Sequence, residues 1–536
     1  MLIATFLLNS ALFAQRDTTH KQTIDITSSY KPVLRNAIKI NFSGTHLSAD
    51  TSRRVSPYNI PSQNLIYSYS PIALNPLALQ QDTNIYLGNR YLVKAGFGSY
   101  STPYLLAKAS LGDGRKRLLN LSGKYIQSTG GIKNQDYSQL SVSGDGSYFT
   151  KAHEIYGSVG MSSDNYYLYG YDHALFTPEK TQIQQQLREV NVSAATRNTT
   201  VNELGISYNP SVTLNIFSNI DKASETTIGI HLPAQKVIAE KFLVKAAFHG
   251  DFTNYNTKGL PANVSLPDNV ITFNPSVEFA QQRLKIHAGI SPSWNNGVFQ
   301  WLPDVSLEAQ VQEKVLLFQA GWIGRITKNT LRNIERYNPY VERLYSLDNT
   351  KETEFYGGLK GSVGKHLNVN VKASWITYDN FPLFLSDTAY NSTVFTVSNE
   401  ERMYDLRIHG DIGYINQDKF SLTGGVTLNG YTGIKNHAKA WNTLPLEITG
   451  SMRWWAYKRL LIKGDIYIFG GANSNADQVA VSLKGGTDLS AGLEFKINKQ
   501  FSVWLDANNI LDDRYERWRN YPVYGINFLG GIIVNF

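Results

Sequence analysis

Segments in which apolar and polar side chains alternate recur along most of this chain, and each continues for about ten residues. Residues 488–498 (DLSAGLEFKIN) place leucine, alanine, phenylalanine and isoleucine on one face and mostly polar side chains on the other. Residues 501–508 (FSVWLDAN) and 367–375 (LNVNVKASW) repeat the pattern. A period of two indicates a β-strand with two different faces, and about ten residues is the length at which a tilted strand crosses a bilayer.

The spacing of the turns distinguishes a membrane barrel from a soluble antiparallel sheet, which is also polar on its solvent side. Short polar turns recur near residues 113, 151, 199, 236, 282, 313, 365, 417, 458 and 499. Between them lie longer irregular stretches rich in Asn, Asp, Tyr, Pro and Thr, such as residues 162–182 and 327–353. Short turns that alternate with long loops are typical of outer-membrane barrels, with the turns in the periplasm and the loops outside.

These turns divide the chain into segments that are each about the size of one hairpin with its outer loop. Two strands per segment predict an all-β fold, a transmembrane antiparallel β-barrel of about 22 strands within a range of about 20 to 24. A barrel this wide is not filled by its own wall side chains, so its lumen is either plugged or open. No run of 18 apolar residues that would predict a transmembrane helix occurs in the sequence.

The N-terminal region differs from the rest of the chain. Residues 1–14 (MLIATFLLNSALFA) are apolar and small, as in a secretory signal peptide, which predicts export with Gln15 as the first mature residue. We therefore predict a signal peptide at residues 1–14, a short irregular periplasmic or plug-like lumen segment at 15–90, and the barrel at 91–536. The chain has no cysteine, so a closed hydrogen-bond ladder rather than disulfides is expected to stabilise it.

The chain ends on an alternating apolar strand whose last residue is Phe536. A strand that stops so abruptly is expected to pair on both edges, and its remaining partner is then the first strand, which closes a barrel. A buried strand of a soluble sandwich is the alternative interpretation of this stretch taken alone.

The last 29 residues (NNILDDRYERWRNYPVYGINFLGGIIVNF) resemble the C-terminal strands of TonB-dependent outer-membrane receptors, in particular those of Bacteroidota. The matching residues are Asn509, Ile510, Leu511, Asp512, Tyr515, Tyr521, Pro522, Gly525, Phe528 and Phe536. The end also resembles the signal that the barrel-assembly machinery reads, matched by Gly531, Val534 and Phe536. The resemblance implies a multi-pass barrel in the cell outer membrane, with outer-membrane lipid and the assembly machinery as partners.

The N-terminal segment has no recognisable plug motif. Residues 24–44 (IDITSSYKPVLRNAIKINFSG) resemble the periplasmic lead-in of a short form of these receptors that lacks a full plug domain. Ile24, Asp25 and Ile26 are the candidate TonB contact, since an alternating segment can add a strand to a partner's sheet. A plain tail segment is the alternative.

Aromatic residues lie where strands are expected to meet the membrane interface, which predicts an aromatic girdle. The predicted girdle residues are Trp454, Trp455, Tyr515, Trp518 and Tyr521. Core packing is the alternative for each of them taken singly.

No motif predicts a catalytic, cofactor or metal site. His249 and His287 are expected to face the lumen without a neighbouring catalytic motif, and the lumen charges Lys372, Lys463, Asp465 and Glu494 are expected to line a solvated interior. The net charge of +8 is spread along the chain, without the basic clusters of nucleic-acid binding.

The function that the resemblance implies is transport or binding of a nutrient, such as a glycan, peptide or chelate, with TonB or a surface lipoprotein as a further partner. A passive pore and a structural or assembly partner in an outer-membrane complex are the alternatives.

Overall fold

The computed structural model describes residues 90–536 except 114, 222, 258–263, 313–314, 343, 345, 347, 365, 388–393, 417–418 and 477–478. The predicted signal peptide, residues 15–89 and the candidate TonB contact at Ile24, Asp25 and Ile26 lie outside the described residues.

The barrel strands are β1 (Tyr91–Gly98), β2 (Thr102–Gly112), β3 (Arg117–Ser128), β4 (Tyr137–Phe149), β5 (His153–Tyr167), β6 (Gln184–Asn198), β8 (Ser211–Asn219), β9 (Ala223–Ile238), β10 (Phe242–Thr257), β11 (Val264–Gln281), β12 (Leu284–Ile290), β15 (Pro303–Gln312), β16 (Leu316–Thr327), β17 (Thr350–Val363), β18 (Leu367–Asp387), β19 (Val394–Asn416), β20 (Phe420–Thr432), β21 (Leu446–Tyr457), β22 (Leu460–Phe469), β25 (Gly486–Lys496), β26 (Phe501–Asn508) and β29 (Asn527–Asn535). The connections carry the short strands β7 (Ile206–Tyr208), β13 (Ser293–Asn295), β14 (Val298–Gln300), β23 (Asn473–Ala476), β24 (Val479–Ser482), β27 (Glu516–Trp518) and β28 (Tyr521–Pro522), and the helices α1 (Lys180–Ile183) and α2 (Leu331–Tyr337). No helix of the described residues is long and apolar enough to span a membrane.

The barrel closes where its first and last strands meet. Each barrel strand runs antiparallel to the next, and β29 pairs with β26 on one edge and with β1 on the other. Tyr91 and Phe536 exchange two backbone hydrogen bonds, of 2.8 and 3.0 Å, and their rings lie 5.3 Å apart. The prediction of a closed antiparallel barrel of 22 strands, with its last strand paired on both edges, is confirmed.

The two faces of the strands separate as the alternation predicts. On β25 and β26, Leu493 and Leu505 are exposed on the outside, whereas Glu494 and Asp506 on the other face are buried. Exposed apolar side chains of this kind recur on strands all around the wall. Because lipid, unlike water, solvates such a surface, the outer face is a membrane-facing apolar belt.

The short turns lie at the barrel end where β1 begins and β29 ends. Nine of the ten predicted turns mark short connections between consecutive barrel strands. The turn predicted near residue 236 lies slightly later, at residues 239–241, because β9 continues to Ile238. The connection at residues 199–210 differs from the prediction, because it is longer and carries β7, which pairs with β9. By the rule for outer-membrane barrels, this is the periplasmic end.

Gly531 lies at the seam between β29 and β1, where the two backbones approach closely. A Cβ atom there would lie 1.9 Å from the Ala95 carbonyl oxygen and 2.5 Å from the Gly96 Cα atom. We expect Gly531→Ala to destabilise the closed barrel by about 1–3 kcal/mol, the usual cost of overpacking. Unfolding in detergent, followed by the mobility shift between folded and heated protein on a gel, measures this.

Gly413→Ala is the matched control, since a Cβ atom on this strand glycine would have no atom within 4 Å among those considered. Equal stability of the two variants would show that the seam relaxes around the added methyl group.

Candidate ligand-binding site

The long loops collect at the outer end of the barrel, and three of them fold inward. The first, called the inner loop here, comprises the described residues of 328–349 between β16 and β17 and carries α2. The others are residues 433–445 and the last loop, residues 509–526. Their apolar side chains and those of the surrounding strands form one buried cluster: Leu187, Phe217, Ala223, Tyr255, Leu331, Ile334, Tyr337, Leu344, Ile376, Tyr378, Phe381, Leu383, Phe384, Phe395, Met403, Ala440, Trp441, Trp518 and Tyr521. The outer mouth therefore contains a packed core.

Helix α2 forms the centre of the inner loop. Thr330 caps its N-terminus by accepting a hydrogen bond from the Asn333 backbone N–H, and Leu331 and Ile334 are fully buried. The sequence pattern predicts an irregular loop here, whereas the structure contains a helix. The threonine cap followed by apolar residues three apart was the signal for this helix, and it was missed because the turn is short.

Charged groups fasten the inner loop to the far wall of the barrel. The carboxylate of Glu189 on β6 accepts from Arg336 and lies 3.4 Å from Nη1 of Arg332. Lys328 Nζ lies 2.6 Å from Asp251 Oδ1 on β10 and 3.1 Å from Asp268 Oδ2 on β11. The loop leaves the wall between β16 and β17, so these contacts place it across the lumen.

Backbone and aromatic contacts hold the other side of the inner loop. The Phe395 N–H of β19 donates to the Tyr340 carbonyl at 2.9 Å, and the Glu342 N–H donates to the Phe395 carbonyl at 2.8 Å. Tyr340 stacks on Tyr521 of the last loop, with ring centroids 3.4 Å apart and planes 13° apart. Tyr166 Oη on β5 donates to the Pro339 carbonyl at 2.5 Å. The inner loop is thus held by the wall on several sides and by another loop.

Glu335 is the buried acid of α2. Its Oε1 accepts from Asn219 Nδ2 at 2.7 Å, and only 3% of the residue is exposed. Burial raises the pKa of Glu335 to about 8; the Asn219 hydrogen bond acts in the opposite direction, and Asp221 and Glu225 raise it further. The carboxyl group is therefore mostly protonated at neutral pH.

A partly enclosed cavity of about 210 Å³ lies between these loops and the outer ends of β4, β5 and β6. Its walls are mainly aromatic: Tyr137, Tyr166, Tyr169, Tyr340, Tyr467, Phe469, Tyr515, Trp518, Tyr521 and Tyr524. Charged side chains also line it, namely Asp136, Asp164, Glu335, Arg336 and Arg517. Apolar walls with a few polar groups are the usual composition of a small-molecule site, which makes this cavity the candidate site.

Three of the predicted girdle residues are buried at the outer mouth instead of lying on the lipid-facing surface. Trp518 and Tyr521 belong to the cluster described above, and Tyr515 belongs to a neighbouring cluster with Phe469. Tyr515, Trp518 and Tyr521 are 3–4% exposed, because the last loop folds inward and buries their rings against other aromatic side chains. Trp454 is exposed on the wall near the periplasmic end, and Trp455 is half-buried beneath Lys496. The predicted assembly signal, Gly531, Val534 and Phe536, lies at the closing edge of the barrel.

The lumen charges that the sequence singled out are engaged in local pairs. Lys463 Nζ lies 3.4 Å from Glu494, Lys372 Nζ lies 2.6 Å from Glu354, and Asp465 lies 3.0 Å from Arg453. They lie apart from the cavity.

The two histidines also have local partners. His287 lies 2.9 Å from Asp304, and His249 stacks on His231 with ring centroids 3.9 Å apart. The part of the chain that the structure describes contains no group of three or more side chains suited to a metal ion.

Comparisons with known proteins identify the fold. No family model and no curated protein matches the sequence. Solved structures do match: the FrpB iron transporter from Neisseria meningitidis has a TM-score of 0.63 at 12% identity, covering 83% of this chain and 81% of that one. The siderophore receptor PirA from Acinetobacter baumannii has a TM-score of 0.63 at 10% identity, covering 84% and 80%.

The ferric enterobactin receptor PfeA from Pseudomonas aeruginosa, as a point mutant, has a TM-score of 0.61 at 10% identity, covering 83% of this chain and 80% of that one. The chain has a TonB-dependent receptor-like barrel. With its apolar belt, it is a multi-pass β-barrel of the outer membrane. Identities of 10–12% establish this shared fold alone, so the ligand has to be argued from the site.

Proposed function

We propose that this chain is an outer-membrane transporter that captures a nutrient at its outer mouth. The observation that carries the proposal is the inner loop, which packs across the lumen and is fastened to β6, β10 and β19. A passive pore needs an open path, whereas a packed loop core with a cavity suits capture followed by gated release. The names of the similar structures, an iron transporter, a siderophore receptor and a ferric enterobactin receptor, support transport over catalysis.

The ligand classes remain a glycan, a peptide or a chelate, as the sequence predicted. Coupling to TonB through Ile24, Asp25 and Ile26 is part of the proposal, and so is a surface lipoprotein as partner.

Single-channel conductance in a planar bilayer tests the gating. Four forms are compared: the full chain, a form lacking residues 15–90, a form in which a Gly-Ser linker replaces residues 330–342, and a form with both changes. We expect the full chain to be silent and the doubly changed form to conduct steadily, because both the predicted lumen segment and the outer core are then removed. A folded-band gel assay on each form establishes that the barrel is intact.

The alternatives predict other outcomes. A passive pore conducts as the full chain, and neither change raises its conductance. A structural partner stays silent in all four folded forms and co-purifies with its complex at fixed stoichiometry.

A further inference from the structure

The cavity presents polar atoms that no neighbouring side chain or backbone group satisfies. Within the described residues, Trp518 Nε1, Glu335 Oε2 and Tyr137 Oη are buried and have no hydrogen-bond partner. All three residues line the cavity, and Trp518 and Glu335 are each 3% exposed. A buried polar group without a partner is destabilising, so a ligand that supplies the partners recovers that free energy on binding.

These polar atoms lie among aromatic faces. Tyr166 and Tyr169 pack edge-on against Tyr340, and most of the residues that line the cavity are aromatic. Such a site matches a ring-shaped molecule with apolar faces and hydroxyl groups around its edge. The indole N–H donates to a hydroxyl oxygen, and a phenol or carboxyl group both donates and accepts.

The charges around the cavity disfavour an anionic ligand. Arg336 is paired with Glu189, and Asp136 is paired with Lys180 at 3.0 Å. Arg517 donates to Tyr337 Oη at 2.7 Å and to the Asn442 carbonyl at 3.0 Å. An anionic iron chelate would require arginines that are available to it, whereas here they already hold the loops together.

We propose that this cavity binds an uncharged sugar ring, which stacks on its tyrosine walls and hydrogen-bonds with Trp518, Tyr137 and Glu335. A sugar would then be the substrate of the proposed function. Uptake of the sugar rests on that function, whereas binding of the sugar rests on the cavity alone. A sugar unit of a longer glycan satisfies the same chemistry, with its remaining units extending toward the outside.

Calorimetric titration of the purified full chain tests the site. The detergent must have no sugar head group, since such a head group would compete. The probes are methyl glucoside, methyl galactoside, methyl mannoside and maltose, with ferric citrate and a ferric catecholate as anionic probes. We expect at least one neutral sugar to bind and the anionic probes not to bind.

Two conservative variants locate the binding site. Trp518→Phe removes the indole N–H and Tyr137→Phe removes the hydroxyl, while both retain an aromatic ring. Each is expected to weaken sugar binding about three- to tenfold, as the loss of one hydrogen bond does. The matched controls are Trp454→Phe and Tyr457→Phe, which change exposed residues near the periplasmic end and are expected to leave the affinity unchanged.

The outcomes separate the two proposals. Failure of every sugar to bind, binding of the anionic probes in their place, or unchanged affinity in both cavity variants would overturn the sugar site and leave transport untouched. Sugar binding that depends on Trp518 and Tyr137, without uptake of that sugar by cells that display the protein, would support the site and contradict the transport function.

Discussion

Replacing Glu189 by alanine is expected to release the inner loop from the far wall of the barrel. The substitution leaves Arg332 and Arg336 facing each other without the carboxylate that holds both. Because Glu189 is buried and the arginines are partly exposed, the loss is expected to cost on the order of 1–3 kcal/mol. Hydrogen exchange should then be faster at the amides of α2, with less change in the barrel strands. In the form lacking residues 15–90, the same substitution should also raise the frequency of channel openings.

Glu278→Ala is the matched control. Glu278 likewise holds two cations, Lys245 at 2.8 Å and Lys285 at 3.1 Å, but these belong to strands of the wall and not to the inner loop. If both variants left α2 equally protected, the ion contacts of Glu189 would not be what holds the loop.

Raising the pH from 6 to 9 is expected to loosen the inner loop through Glu335. The unfolded carboxyl group titrates near 4.5, whereas the pKa of Glu335 in the folded loop is raised to about 8. Between these two values the folded loop binds a proton that the unfolded loop does not, so its stability falls as the pH rises through this window. Well above pH 8 Glu335 is ionised in both the folded and the unfolded loop, so it causes no further loss of loop stability.

The groups that face Glu335 do not all act alike: the carboxylates raise its pKa further, whereas the Asn219 hydrogen bond lowers it by less than burial raises it. Asn219 donates to it, Asp221 and Glu225 repel its ionised form, and the Tyr166 hydroxyl lies in the same region. From pH 6 to 8 the opening equilibrium of α2 should increase on the order of tenfold to a hundredfold, measured by hydrogen exchange corrected for its intrinsic pH dependence.

Glu335→Gln should remove most of this pH dependence, because the amide remains neutral and still offers an oxygen to Asn219. Glu401→Gln changes an exposed carboxylate beside Lys435 and should leave the dependence as it is. A wild-type loop whose protection does not vary between pH 6 and 8 would contradict the prediction.

The wall of the barrel could be predicted because its information is local. Alternation such as that of residues 488–498 tells which side chains face lipid, and the polar turns tell where the chain reverses. Neither feature depends on a distant partner. The turn at residues 199–210 was the exception, since β7 forms there only by pairing with β9.

The prediction that the aromatic residues of the last loop face the membrane interface was wrong because their surroundings depend on distant parts of the chain. A tyrosine or tryptophan near a strand end suits both a membrane interface and an apolar core, and the local sequence does not distinguish them. Trp518 and Tyr521 are buried because Tyr337 and Tyr340, some 180 residues earlier in the sequence, fold against them.

Local sequence patterns are enough to predict the closed barrel, its apolar outer face, its polar lumen and the end at which the loops collect. These properties follow from a strand period of two and from turn chemistry, both of which act over a few residues. The inner loop that fills the outer mouth and the tyrosine-lined cavity there follow from contacts between distant parts of the folded chain. The contacts between Glu189 and Arg336, and between Tyr340 and Tyr521, exist only after closure of the barrel brings distant loops together.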